Sequence, residues 1–127
     1  MAIDSENSPE TLVVDLGSLS ADGTVPAMLT KRRIKILHFS ILNGAAISAS
    51  DTDFAEIQLK VGSTVHGDLD TRSAAENGLA QNVWKDGRVV SAVVEKDSKL
   101  DVVYDETDAG TNVALTTARA QIVYANI

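Results

Sequence analysis

A chain of 127 residues, 44% hydrophobic and 23% charged, has the size of one domain and enough apolar material for its own core, which excludes wholesale disorder. Its 18 acidic against 11 basic side chains give a net charge of −7, which penalises general nucleic-acid binding; without cysteine it has no disulfides, thiolate metal sites or cysteine nucleophiles. Aromatic residues are only 4%, so the core must be built from Val, Ile, Leu and Ala, whose β-branched share favours strands.

Residues 1–10 read as a flexible arm, because Asp4, Ser5, Glu6, Asn7, Ser8 and Pro9 offer nothing to bury. This acidic start is unlike a secretion signal, and no apolar run approaches the ~18–20 residues that cross a bilayer, so the expectation is a protein made and kept in water with no membrane partner. Residues 11–16 form a short apolar run fit for a first strand. Turn residues follow at 17–23, and Pro26 limits what the next segment can pair with.

Residues 31–43 are the longest strand candidate. Ile34 and Ile36 alternate with Arg33 and Lys35, after which Leu37, Phe39 and Ile41 continue on the other parity; a β-bulge near Ile36 or Leu37, or burial of both faces, accounts for the switch. Asn43-Gly44 signals a turn. Residues 55–61 alternate without error, with Ile57 and Leu59 facing a core and Glu56 and Gln58 facing water.

Residues 71–84 are ambiguous: Ala74, Ala75, Glu76, Leu79 and Ala80 could make a helical turn that Gly78 weakens. Three more strands are expected at 88–94, 99–104 and 114–124, separated by Asp86-Gly87, Asp97-Ser98 and the turn residues of 108–112. In the last, Ala118, Ala120, Ile122 and Tyr124 share a face, with Arg119 and Gln121 on the other. Six or seven strands with almost no helix indicate a single all-β domain over 11–127, an antiparallel β-sandwich of jelly-roll-like form.

Catalytic chemistry finds little to work with. The two histidines lie on different segments: His38 reads as a hydrogen-bonded sheet residue within an apolar strand, and His66 as a solvated loop residue. There is no Gly-x-Ser-x-Gly elbow and no glycine-rich phosphate loop. Asp51 with Asp53, Asp68 with Asp70, and Asp105, Glu106 and Asp108 are small carboxylate groups; calcium favours such oxygens, but none has EF-hand spacing, and turn chemistry is the simpler reading. The expectation is therefore no enzyme, no cofactor and no metal. Trp84 suits core or interface packing better than a ligand platform.

The one positive cluster is Lys31, Arg32, Arg33 and Lys35. It lacks the interleaved aromatics of a nucleic-acid patch. It serves either to protect a strand edge or to dock on an acidic partner surface.

The closing pattern, Lys99-Leu100-Asp101-Val102-Val103-Tyr104, the acidic glycine-bearing loop through Gly110, and a final strand ending Gln121-Ile122-Val123-Tyr124, resembles the small jelly-roll proteins that decorate or cement the capsids of tailed phages. The resemblance spans about residues 25–127. It departs where a Gly-Asp often precedes the penultimate strand, here Lys96-Asp97-Ser98-Lys99.

The resemblance implies a homotrimer bound to a major capsid protein on the outer surface of a virion, the protein being made in the host cytoplasm; Lys31, Arg32, Arg33 and Lys35, read as a patch for an acidic partner, are then the expected capsid-docking residues. An alternative on the same fold is a carbohydrate- or receptor-binding fibre head or tail tip. A trimer is also expected because residues 31–43 and 88–94 are apolar on both parities and must be covered on both faces.

Overall fold

The computed structural model describes residues 8–73, 75–107 and 113–127. Among them the chain forms ten strands: β1 (Pro9–Leu19), β2 (Gly23–Leu29), β3 (Ile34–Leu42), β4 (Phe54–Val61), β5 (Thr64–Asp70), β6 (Lys85–Asp86), β7 (Arg88–Val89), β8 (Val93–Val94), β9 (Lys99–Thr107) and β10 (Leu115–Asn126). One five-stranded sheet has the order β1-β10-β3-β6, with β8 also on β3; the other has the order β2-β9-β4-β5-β7. All the strand pairs are antiparallel, and the two sheets pack into the expected β-sandwich.

The pairs nest. β1 pairs β10, β2 pairs β9, β3 pairs β8 and β4 pairs β5, as if one long hairpin had been rolled up. Strands from opposite ends of the chain therefore lie side by side, and the first and last segments hold each other.

The alternation of β4 is realised: Ala55, Ile57 and Leu59 are fully buried beneath the half-exposed Glu56, Gln58 and Lys60. The parity switch in β3 is a bulge, as expected. Tyr124 pairs Ile36 and Val123 pairs His38, leaving Leu37 as the extra residue, so Ile34, Ile36, Phe39 and Ile41 all reach the core. In β10, Ala118, Ala120 and Ile122 are fully buried. The same irregularity turns Tyr124 only half inward and buries Ala125 in its place.

Several expectations change. β1 begins at Pro9, which pairs Ala125, rather than at Thr11, and it runs through Gly17 to Leu19 by way of two irregularities. Residues 1–7, where the rest of the expected arm falls, lie outside the described residues. β2 forms despite Pro26 because it is the edge strand of its sheet, with β9 its only neighbour in the strand order.

No helix forms in the described part of 71–84. Ala75 and Asn77 both donate to the Arg72 carbonyl, and Asn77 and Gly78 take positive φ. Leu79 then bridges Ile47; a Cβ on Gly78 would meet the Ile47 oxygen at 2.5 Å. The expected strand at 88–94 is instead two short pieces, β7 on one sheet and β8 on the other.

Candidate functional site

Segment 83–94 stitches the two sheets together along one side of the sandwich. β6 adds to β3 of the first sheet, β7 crosses to β5 of the second, and β8 returns to β3. Such short alternating pieces bury little of their own surface, so apolar side chains stay in water: Val83 is 54% exposed, Trp84 41% and Val90 56%, with Val89 beside them at 36%. Trp84 is thus not a core residue, which corrects half of its sequence reading. It borders a groove of about 400 Å³ shared with Ser48, Asn77, Leu79 and Lys85. The bulge at Leu37 and the crossing at 88–94 account for apolar residues on both parities, and the surplus that remains is concentrated on this segment.

The basic run divides. Lys31 and Arg32, in the turn between β2 and β3, line a smaller groove of about 260 Å³ with Met28, the exposed Leu29, Ile34, Tyr124 and Asn126. Arg33 instead pairs with Glu95 at 3.2 Å, and Lys35 is exposed on β3 opposite Val93 and Ala125. Thr30 fixes the base of the turn. Fully buried, it donates to the Glu95 carbonyl at 2.8 Å and accepts from the Ser98 N–H at 2.8 Å. The Tyr124 hydroxyl donates to Glu10 at 2.8 Å; burial, and then that carboxylate, push its pKa up.

The outer face of the second sheet carries a charged network that sequence reading missed. On β5, Gly67 and Leu69 face inward, so His66, Asp68 and Asp70 face outward, yet all three are buried. His66 is therefore a strand residue and not a solvated loop residue; its Nδ1 lies 2.8 Å from the Ser91 carbonyl, which can only accept, so Nδ1 carries the hydrogen. His38 is exposed on the first sheet.

Arg88 donates to Asp68 at 2.6 Å and approaches Glu76 at 3.5 Å, while the Arg72 guanidinium pairs with Asp70 and also stacks over Phe54 at 4.6 Å. Burial alone would raise Asp70, but the hydrogen bonds and charge of Arg72 hold it below the usual carboxylate range. Glu56 faces the same cluster from β4, and burial followed by the Asp68 charge raises it to about 7. Asp105 is also raised, by burial and then by Asp22. The period-two pattern His66-Gly67-Asp68-Leu69-Asp70 was the available signal for this strand.

The remaining carboxylates do structural work. Asp51 accepts from the Ser73 N–H at 3.1 Å, and Asp22 accepts from the Glu106 N–H at 2.9 Å. Asp108 lies outside the described residues. Among those residues no three His, Asp or Glu side chains are arranged to hold a metal ion.

No family model matches this chain, and no curated protein matches it.

Proposed function

We propose that this protein is a structural virion component that binds the outer surface of a phage capsid as a homotrimer and cements it, its partners being the major capsid protein and its own copies. The observation that carries the reading is the run of exposed apolar side chains, Val83, Trp84, Val89 and Val90, on the segment whose two-residue strands alternate between the two sheets. Apolar surface gathered on one strap is what a protein–protein contact uses.

The nested pairs β1/β10, β2/β9, β3/β8 and β4/β5 support reading the sandwich as a jelly roll, the fold that the sequence resemblance implies. The groove beside Lys31 and Arg32 offers a second contact of opposite character, suited to an acidic neighbour. Exposed ion pairs contribute only ~0.2–1 kcal/mol each, so apolar burial carries the affinity and a trimer multiplies it through avidity. A net charge of −7 suits a position outside the DNA-filled interior.

The test is co-sedimentation of the purified protein with capsids that lack it. Saturable binding by the wild type and weakened binding by Trp84→Ala and Val90→Asp support the reading. Undiminished binding by both variants moves the contact elsewhere, and no binding by the wild type removes the reading.

The second reading, a carbohydrate- or receptor-binding module, is favoured by one observation: Trp84 is 41% exposed at the mouth of a groove that also holds Ser48, Asn77 and Lys85. Trp84 is the only tryptophan, so its fluorescence reports a bound sugar directly.

A further inference from the structure

The strand register lines up carboxyls. Glu56 has Asp70 directly opposite on β5 and Asp105 directly opposite on β9, so three acidic side chains cross the outer face in one row. Directly paired side chains on one face have Cβ atoms about 4.5–5.5 Å apart, where like charges destabilise. Asp68 stands on the diagonal, opposite Gln58, and Glu56 is within hydrogen-bonding reach of it.

Asp68 is only 6% exposed. Its Oδ2 takes the Arg88 hydrogen bond, whereas its Oδ1 is buried with no donor among the described residues. Two carboxylates cannot hydrogen-bond to each other. A proton on Glu56 would supply the missing donor and remove a charge from the crowded row at the same time.

We propose that Glu56 and Asp68 hold one proton between them, an acid pair that makes the outer face of this sheet a pH-sensitive element. The groups around it are, from β5, His66 and Asp70; from the turn after β5, Arg72 and Glu76; from β7, Arg88; and from β9, Asp105 with Asp22 behind it. On β4 itself the same face carries the uncharged Gln58 and then Lys60, which acts on Asp105. Arg72 is committed by hydrogen bonds to Asp70, outside the pair, whereas Arg88 bonds Asp68 itself and favours its charged form, which leaves the proton on Glu56. Arg72 pulls Glu56 back toward the charged form, but burial and Asp68 outweigh it. With the proton in place β4 and β5 are tied across their outer face; once it leaves, the two carboxylates repel.

The experiment is carboxyl-carbon NMR of the intact chain across about pH 3–9, together with thermal melts of the wild type and Glu56→Gln. The pair predicts that the Glu56 carboxyl titrates with a midpoint near 7, well above its ordinary 4.5. It also predicts that the wild-type Tm falls as pH rises from about 4.5 through about 7, and that E56Q flattens this fall and melts higher than wild type at the alkaline end. Asp68→Asn should bring the Glu56 midpoint down toward the ordinary range. A wild-type Glu56 midpoint at the ordinary value overturns the proposal, and so does an E56Q Tm as pH-dependent as that of the wild type. Should E56Q fail to fold, the wild-type titration decides alone. A rise in wild-type Tm with millimolar calcium at the alkaline end would make this a cation site and would also overturn the acid pair.

Discussion

Tyr104 donates its hydroxyl hydrogen to the main-chain oxygen of Val113 at 2.8 Å, with both residues buried. The bond ties the middle of β9 to the residue that leads into β10, on the opposite sheet. Tyr104→Phe keeps the ring and strands that carbonyl, an uncompensated buried acceptor worth about 1–3 kcal/mol. Urea unfolding should show the loss as a lower midpoint with an unchanged slope.

Thr30 makes the same kind of argument at the turn carrying the basic run. Its hydroxyl serves as donor to Glu95 and acceptor from Ser98, and its main-chain oxygen takes the Asp97 N–H at 2.8 Å. Thr30→Val fills the same volume but removes both hydroxyl bonds, and should cost about 1–3 kcal/mol in the same measurement. Thr30→Ser should recover most of it.

On β4, Ile57→Ala and Leu59→Ala should each cost about 2–5 kcal/mol, because both side chains are fully buried. Gln58→Ala should stay within about 0.5 kcal/mol. Glu56 departs from the sequence expectation of an indifferent surface position: its neighbours in the row are carboxylates.

Stability should therefore peak in mildly acidic solution. Glu56 binds its proton more tightly folded than unfolded, so its contribution is complete below its unfolded value of 4.5 and is lost as pH rises through about 7. Asp70 has the opposite sign: its folded pKa is lowered, so its contribution is present above the unfolded value of 3.8 and is lost as pH falls through the folded one. Unfolding midpoints across pH should fall on both sides of that window, and Asp70→Asn should remove part of the acid limb while the alkaline limb persists but moves to lower pH, because the Asp70 charge no longer raises Glu56. A profile that rises steadily to pH 9 would contradict both assignments.

Much of this architecture is written in period-two alternation, and where the alternation is clean, as at Ala55, Ile57 and Leu59, it locates the strand and its inner face. The bulge at Leu37 was legible because a parity switch in an apolar strand has few physical causes. β5 was hidden because its outward residues are His66, Asp68 and Asp70, which read as turn chemistry until Arg88 and Glu76 arrive from elsewhere to cover them. The run 88–94 misled for the opposite reason. Its valines suggest one strand, but a local pattern carries no information about a chain that changes sheets every few residues. The basic run is contiguous in sequence but divides in the structure: only Lys31 and Arg32 line the groove, Arg33 pairs with Glu95, and the β-strand that begins at Ile34 turns Lys35 away.

The apolar strip makes a prediction about self-association. Light scattering at micromolar concentration should give the mass of three chains. Replacing Val83 and Val90 together by Asp should leave a folded protein, since both side chains already face water at 54% and 56% exposure. It should lower the mass to one chain if the strip joins the copies, and leave the trimer intact but unable to bind capsids if the strip faces the shell. A wild-type chain that stays monomeric throughout would contradict the trimer.

The most direct measurement of the proposed role is quantitative mass spectrometry of virions purified from a source that carries this sequence. A capsid cement must be present in a fixed ratio to the major capsid protein, at high copy number, and accessible to surface labelling of intact particles. Absence from the particle, or only a handful of copies at one vertex, would contradict it.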